Sequence, residues 1–364
     1  MARFSRQYTM KHQRCFTPLQ FIHGRKPVDE LWRACKPQDK MPQAYACGHL
    51  VTGFTLKVMT KRFRKTLFWL SAASFIMVAL PVILYALGFR IAPDSWELVQ
   101  AGGLSIASTP STGTRIYVDG KLARETTIFS RRLFLQGLTP RHYTIRIEKD
   151  GYFPWQKILM VDPERVADAH ALLIKDSPEG ATLTQGDYSS FAFSDITESV
   201  ITLRNTKKKE TFYLLAGERT IPKPLNIGTT TPPLSDTAHA FIKERNIRDF
   251  DYDPSLERVV WWDKTHVWVR WLRGDEFLPL YTNEPETMIY ASNESPVREA
   301  RFYPFQEAIL ITSSNTVMVV ELDGRDKRNI YPLYKGREPN LLVARDEQIV
   351  YILDDGNLIR IPLQ

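Results

Sequence analysis

One uncharged apolar run constrains the chain more than any other feature: residues 66–89, TLFWLSAASFIMVALPVILYALGF. About 24 residues of this kind are enough to cross the hydrocarbon core of a bilayer as an α-helix. A buried core helix rarely stays apolar on every face over this length. The run also exceeds the apolar part of an ordinary signal peptide, and no clear A-x-A site follows it. We therefore expect one uncleaved transmembrane helix, with a cleaved signal peptide and a core helix as the alternatives.

Charge on either side of the run predicts its orientation. A basic cluster, KRFRK, occupies residues 61–65, whereas Arg90 is followed by a mixed segment with acidic residues. The positive-inside rule places the basic side in the cytoplasm. The expectation is a single-pass protein of the cell membrane, with a basic cytoplasmic segment at 1–65 and everything after residue 89 outside the cytoplasm.

The net charge of +7, from 48 basic and 41 acidic residues, is concentrated in that short segment. By count, residues 1–65 hold about 14 basic and 3 acidic residues, which leaves an excess of acidic residues after the apolar run. Topology and attraction to anionic lipid headgroups explain the basic segment. A nucleic-acid partner is not predicted.

The segment before the run shows little periodicity and is expected to be mostly disordered. Its cysteines, Cys15, Cys35 and Cys47, form no C-x-x-C pair, so no zinc site is predicted, and no cysteine remains for a disulfide outside. Met59 begins MTKRFRKTLFWL, which reads as a short basic region followed directly by the apolar run. Translation from Met1 and from Met59 are both compatible with this pattern.

Residues 102–174 consist of short alternating segments joined by turns that contain glycine or proline. The segments are 104–110, 114–118, 126–135, 143–147 and 156–161, and the turns include Asp119-Gly120. Several short strands at this spacing predict a small antiparallel β-sandwich.

Four motifs stand out in this region: L-S-I-x-S-x-P at 104–110, I-Y-V-D-G at 116–120, L-x-P-x-x-Y-x-I-x-I at 138–147 and K-x-G-Y at 149–152. In this order they resemble the PEGA domain, a module of bacterial surface proteins. The sequence departs from the family at 124–127, where a proline is missing, and at 138–141, where the naming tetrapeptide is replaced. The resemblance implies a β-sandwich and a role in envelope adhesion or scaffolding, and it brings no catalytic residues.

Residues 185–364 contain a second pattern. Four stretches share an aromatic or apolar residue, a short polar turn and a β-rich run, and Glu198, Glu257, Glu307 and Glu347 recur at the same place in each. Their offsets, about 59, 50 and 40 residues, suit propeller blades. The pattern resembles TolB-like or WD-type β-propellers and predicts a four-bladed or incomplete propeller. An ordinary β-sandwich is the alternative.

Catalytic motifs are not evident in the part after the apolar run. Asp263 and His266 have the spacing of an acid–base pair, but this spacing is more typical of a hairpin turn. Asp249, Asp251 and Asp253 alternate as some calcium ligands do, and we interpret them as a solvated strand face. The sequence therefore predicts no catalytic residue, cofactor or metal ligand.

Tryptophans are concentrated in the sequence WWDKTHVWVRW at 261–271. Trp262, Trp268 and Trp271 are the candidate residues for a partner-binding surface, with packing inside the β domain as the alternative. The predicted function is a non-enzymatic, membrane-anchored binding or scaffold protein of the bacterial cell envelope, which contacts protein or cell-wall polymer. The alternative is an extracytoplasmic hydrolase or sensor with its site in the C-terminal β domain.

Overall fold

The computed structural model describes residues 60–92, 96–194, 198–216, 218–222, 233–293 and 295–363. Most of the predicted cytoplasmic segment, including its three cysteines and Met59, lies outside these residues. Within the described part the chain is mainly β, with many small antiparallel sheets and one apolar helix at its N-terminal side. This much of the predicted fold class is confirmed.

The apolar run forms helix α1, Lys61–Ala86, which has 26 residues and contains Pro81. Of the helices in the described ranges, it alone is long and apolar enough to cross a membrane, which is consistent with a single-pass anchor. The helix stops where Gly88 adopts a positive φ of 88°. Such a left-handed residue closes many helices, and glycine adopts it without steric cost.

A two-stranded ribbon follows the helix directly. Strand β1, Phe89–Ile91, pairs with β2, Leu98–Gln100, so that Ile91 lies opposite Leu98. The N–H of Ala101 then donates to the carbonyl oxygen of Gly88 at 2.8 Å, which brings the end of the ribbon back to the end of the helix.

Residues 102–174 form two sheets, which we call the sandwich domain. The strands are β3 Gly102–Thr109, β4 Arg115–Val118, β5 Lys121–Glu125, β6 Arg132–Leu138, β7 His142–Glu148, β8 Trp155–Met160 and β9 Val166–Leu172. The orders are β6-β3-β9 and β5-β4-β7-β8. One pair departs from the predicted antiparallel arrangement, because β9 runs parallel to β3. The chain crosses from β8 in one sheet to β9 in the other. This crossover lets β9 pair with β3 while both strands run in the same direction.

The two sheets share one apolar core because alternate residues of their strands point inward. On β7, Tyr143, Ile145 and Ile147 are buried, and they meet Leu104 and Ile106 of β3 in the same cluster. Each fully buried side chain of this size contributes about 1.5–3 kcal/mol to the free energy of unfolding.

Residues 181–363 form four further sheets, which we call the repeat domain. The strands are β10 Ala181–Gln185, β11 Tyr188–Phe193, β12 Val200–Asn205, β13 Glu210–Leu214, β14 Arg219–Ile221, β15 Phe250–Asp253, β16 Arg258–Trp262, β17 His266–Trp271, β18 Glu286–Ala291, β19 Val297–Phe302, β20 Ala308–Ser313, β21 Thr316–Glu321, β22 Ile330–Lys335, β23 Asn340–Ala344, β24 Ile349–Asp354 and β25 Asn357–Pro362. Helix α2, Asp236–Glu244, precedes β15, and a short 3₁₀ helix spans Asp275–Phe277.

Each of these sheets has four antiparallel strands. The first is β11-β12-β13-β14, the second β15-β16-β17-β18 and the third β19-β20-β21-β22, all in chain order. The fourth has the order β10-β25-β24-β23, so one of its edge strands comes from the start of the domain. This strand, β10, begins four residues before residue 185, where the sequence placed the start of the domain.

The four sequence repeats fall at the first hairpin of each sheet. Each of these turns contains one residue with a positive φ between 47° and 56°, respectively Glu198, Glu257, Phe305 and Gln348. The repeated polar stretches thus correspond to a repeated backbone turn.

Neighbouring sheets share apolar cores. One cluster joins the second sheet to the third, another joins the third to the fourth, and another joins the fourth to the first. The second sheet also packs against α2. In this contact the rings of Phe241 and Trp261 meet edge to face.

The sandwich domain docks on the third sheet through a buried polar group that we call the docking cluster: Trp155, Lys157, Glu321, Asp323 and Arg325. Lys157 is fully buried, and its Nζ lies 2.8 Å from Glu321 Oε2 and 2.8 Å from the carbonyl oxygen of Asp323. Trp155 Nε1 donates to Glu321 Oε1 at 3.0 Å, and Arg325 donates to an Asp323 carboxylate oxygen at 2.7 Å.

Apolar contacts extend this interface. Phe153 stacks on Tyr331 with ring centroids 5.6 Å apart, and Leu172 and Ile174 join the core shared by the third and fourth sheets. The two domains are therefore packed together and do not simply share a linker.

Candidate ligand groove

The two ends of the repeat domain differ in what occupies them. In a four-stranded antiparallel sheet, the first and third turns lie at one end and the second turn lies at the other. Three members of the docking cluster, Glu321, Asp323 and Arg325, lie at or just after the end of β21, at the third turn of the third sheet. The third and fourth sheets have their corresponding ends on the same side. Arg298 at the start of β19 donates to Asn340 at the start of β23 at 3.0 Å. The end with the second turns is therefore opposite the docked sandwich domain.

At this opposite end, a groove of about 510 Å³ lies between the second and third sheets. Its walls come from the loop between α2 and β15, the turn between β16 and β17, and the start of β19. The lining residues are Arg245, Asn246, Ile247, Arg248, Asp249, Trp261, Trp262, Asp263, Lys264, Trp268, Val297 and Arg298.

The position of the first wall follows from the ends of α2. The helix begins at Ser235, whose side chain accepts a hydrogen bond from the N–H of Ala238, as N-cap serines do. It ends at Arg245, and Asn246 adopts a positive φ of 52°, which turns the chain toward β15. Arg248 and Asp249 are left exposed on this short connection.

The three tryptophans predicted as a partner surface have different environments. Trp262 is half-buried and donates through Nε1 to the carbonyl oxygen of Arg298 at 3.2 Å. Trp268 is half-buried and stacks on Trp261, with ring centroids 5.9 Å apart. Trp271 is only 5% exposed and meets Tyr281 edge to face inside the core. Trp262 and Trp268 therefore line the groove, and Trp271 does not.

Four cations and two carboxylates line the groove, but several are already engaged. Arg245 makes two hydrogen bonds to the Glu286 carboxylate, at 2.9 and 3.0 Å, and Arg298 binds Asn340. Arg248 and Lys264 form no ion pair or hydrogen bond to any described residue through their side chains. The groove thus presents two positive charges without described partners and the exposed carboxylate of Asp249, next to two indole rings.

The Asp263–His266 pair belongs to a turn. Asp263 Oδ1 accepts hydrogen bonds from the N–H groups of Thr265 and His266, at 2.6 and 2.7 Å, which is the arrangement of an Asx turn. Desolvation acts in the opposite direction, but these N–H donors hold the pKa of the Asp263 carboxyl below its usual value. The carboxylate oxygen is therefore occupied by the backbone, as expected from the spacing.

Sequence reasoning missed a charged network on and just after strands β11, β15, β19 and β23. We call Glu198, Asp251, Glu299, Arg301 and Arg345 the axial network. The guanidinium group of Arg345 donates to Asp251 Oδ1 at 2.6 Å. The backbone N–H of Arg345 donates to Glu198 Oε2 at 2.8 Å. Arg301 lies 2.6 Å from Glu299 and 3.9 Å from Asp251. Each sheet contributes at least one member.

This network corrects the interpretation of the aspartates at 249–253 as a solvated face. The Asp251 side chain is only 12% exposed and also accepts from the N–H of Phe302 at 3.0 Å. Asp253 binds the fully buried Arg258 at 2.9 Å. Of these three aspartates, only Asp249 is exposed, and it lies at the groove. In the described part of the chain, no group of three His, Cys, Asp or Glu side chains is arranged to hold a metal ion.

Comparison with known proteins shows no matching family model and no matching curated protein. Among solved structures, U3-55K aligns with a TM-score of 0.20 and 12% identity over 50% of this chain and 56% of its own. An auxiliary nutrient binding protein from Bacteroides thetaiotaomicron VPI-5482 aligns with a TM-score of 0.22 and 9% identity over 66% of this chain and 57% of its own.

A protein of unknown function from the same organism aligns with a TM-score of 0.21 and 11% identity, over 68% of this chain and 64% of its own. This chain thus spans less than two thirds of the length of all three. At these TM-scores the similarities carry no argument about fold or function.

Proposed function

We propose that the chain is a non-enzymatic, membrane-anchored binding or scaffold protein of the bacterial cell envelope. Helix α1 is its anchor, the N-terminus is cytoplasmic and the β domains lie outside. The sandwich domain is PEGA-like, and the repeat domain is a four-bladed propeller. The ligand is an anionic envelope polymer, which binds in the groove between the second and third sheets.

Several features support the propeller. The four sheets share cores in the order second, third, fourth and first, and β10 completes the last sheet beside β25. In a propeller, such a strand from the start of the domain joins the last blade and closes the ring. The axial network lies where the inner strands of a propeller would meet.

The main observation in favour of this ligand is that positive charge and flat apolar surface occur together in the groove. Arg248 and Lys264 are exposed cations without described partners, and Trp262 and Trp268 are half-buried beside them. Cations bind phosphate and carboxylate groups, while the parts of the half-buried indole rings that remain exposed offer apolar surface to the units between those groups. An anionic polymer with apolar or ring-shaped units fits both features.

The position of the groove supports the same role. The sandwich domain, which follows the anchor in the chain, docks at one end of the repeat domain, and the groove is at the other. A ligand at the groove end is therefore approached without displacing the docked domain.

Binding of the full chain, held in detergent micelles, to purified anionic wall polymer and to neutral wall polymer tests this proposal. We expect saturable binding to the anionic polymer that weakens at least several-fold in R248S/K264S and falls as salt increases. The matched control is K207S/K209S, which removes two exposed lysines at the turn between β12 and β13, outside the groove lining. Equal binding by both variants, or binding only to a protein of the envelope, contradicts the polymer ligand.

A further inference from the structure

The β1–β2 ribbon exposes a group of apolar side chains immediately after the membrane helix. Trp96 is 82% exposed, Ile91 is 59% exposed and Leu98 is 50% exposed. Ile91 and Leu98 are directly paired, so their side chains lie next to each other on one face of the ribbon. Exposed apolar groups concentrated in one short segment are typical of surfaces that contact a partner or a membrane.

The length of the helix places this ribbon at a definite depth. The helical part of the apolar run, residues 66–86, measures about 31 Å at a rise of about 1.5 Å per residue. That length matches the hydrocarbon core of a bilayer, which is about 30 Å thick. The ribbon begins at Phe89, and three residues of strand extend it by only about 10 Å. It therefore starts where the hydrocarbon core ends.

Hydrogen bonds hold the ribbon at the helix end. Arg90 lies over the ring of Tyr85, 3.8 Å from its centroid, and donates to the carbonyl oxygens of Tyr85 and Phe89 at 3.0 and 2.8 Å. The Ala101 N–H binds the Gly88 carbonyl oxygen, so the start of β1 and the end of β2 are both held close to the end of the helix. Long linkers that would let the ribbon leave this region are absent between Ala86 and Phe89.

We infer that the β1–β2 ribbon is a second membrane contact, which inserts Trp96, Ile91 and Leu98 at the boundary between headgroups and acyl chains. Tryptophan and tyrosine favour this layer because their rings are apolar and their polar atoms remain hydrated. Arg90 and Tyr85 are in contact at the end of the helix, where the ribbon begins. The occupant of the exposed face is lipid, since the ribbon follows the membrane helix within three residues and begins at the calculated edge of the hydrocarbon core.

The contact would have a mechanical consequence. The ribbon is joined to β3 of the sandwich domain without a gap, since β2 ends at Gln100 and β3 begins at Gly102. A ribbon fixed in the interface limits the tilt of the docked domains above the bilayer. The inference rests on the anchor in the proposed function.

Depth-dependent fluorescence quenching tests it on the full chain with Cys15, Cys35 and Cys47 changed to serine. Single-cysteine variants W96C, M77C and F129C carry an environment-sensitive fluorophore in vesicles of phosphatidylcholine and phosphatidylglycerol. Some of the lipids carry a nitroxide, either near the headgroup or at the end of the acyl chain. Met77 is near the middle of α1 and Phe129 is a 98% exposed residue of the sandwich domain, so they report the bilayer centre and water.

The label at 96 is expected to shift to the blue and to be quenched more by the headgroup nitroxide than by the chain-end nitroxide. The label at 77 should show the reverse preference, and the label at 129 should not be quenched. Quenching at 77 without quenching at 96 overturns the ribbon contact and leaves the anchor intact. No quenching at 77 overturns the anchor and with it this inference.

Discussion

The docking cluster and the groove lie at opposite ends of the repeat domain, and both combine tryptophan with positive charge. At the docking end, Lys157 is fully buried and its ammonium group contacts Glu321 and the backbone of Asp323. At the groove end, Arg248 and Lys264 are exposed and have no described partner. Lysine thus occurs once with its hydrogen-bonding capacity used, at Lys157, and once with it open, at Lys264.

The difference separates structural charges from charges available to a ligand. Burying an ammonium group costs several kcal/mol in desolvation, and only close partners offset that cost. Lys157 is therefore tied to one arrangement of the two domains. An exposed lysine keeps its hydration and loses little when a ligand replaces water, so the groove can exchange its occupant.

The largest effect that this comparison predicts is the loss of stability in K157M. The change leaves the Glu321 carboxylate buried without its ammonium partner, which costs about 3–5 kcal/mol in the free energy of unfolding. Denaturant unfolding of K157M and of K121M, an exposed lysine on β5, measures the difference. The double variant K157M/E321Q should recover part of the loss, because no unpaired charge remains at that position.

Equal stability of K157M and K121M would show that the buried ion pair of Lys157 contributes nothing to the fold and that the buried and exposed lysines do not differ as described.

A smaller loss is expected for the axial network. D251N removes the charge that pairs with Arg345 at 2.6 Å but keeps the shape of the side chain. A charged hydrogen bond of this kind contributes about 1.5–3 kcal/mol, and the 12% exposure of Asp251 leaves little solvent screening. Denaturant unfolding measures the change, with D249N at the exposed groove position as its control. A loss in D249N as large as that in D251N contradicts the distinction between buried and open acids.

The pH dependence of stability extends the comparison to Asp253. Burial works in the opposite direction, but hydrogen bonds from Ser255 and the charge of Arg258 lower the pKa of Asp253 below its ordinary value of 3.8. A lowered carboxyl pKa means that the unfolded state takes up the proton first, so the stabilisation is present above about pH 3.8 and is lost as pH falls through the folded pKa.

Unfolding midpoints of the wild type and D253N should therefore differ most near neutral pH and converge at low pH. A constant difference between them over this range would mean that the ionisation of Asp253 does not contribute.

Local patterns predicted the elements that depend on neighbouring residues. The apolar run predicts α1, and the repeated polar stretches predict the first hairpin of each sheet, because a helix or a tight turn is determined within a few residues. Strands β9 and β10 were missed because each pairs with a strand that is far away in the sequence. β10 pairs with β25, at the other end of the domain, and β9 pairs with β3 in parallel.

The candidate site shows the same limit. The density of tryptophan pointed to Trp262 and Trp268, and it also included Trp271, although alternation along β17 places Trp271 with Val267 and Val269 on the core side. Arg248 and Lys264 lie in separate loops without a pattern between them. Asp251 was assigned to solvent because its partner, Arg345, follows 94 residues later in the chain.

The smallest expected effect is the one that completes the comparison. R248S/K264S should unfold at the same temperature as wild type, and so should K207S/K209S, because exposed charges without partners contribute little to stability. Parallel thermal unfolding of the two variants measures this. If R248S/K264S alone loses stability, the two cations have a structural partner, and weaker polymer binding by that variant would follow from damage to the fold. Unchanged unfolding leaves any difference in binding to be explained by the loss of contacts with the polymer itself.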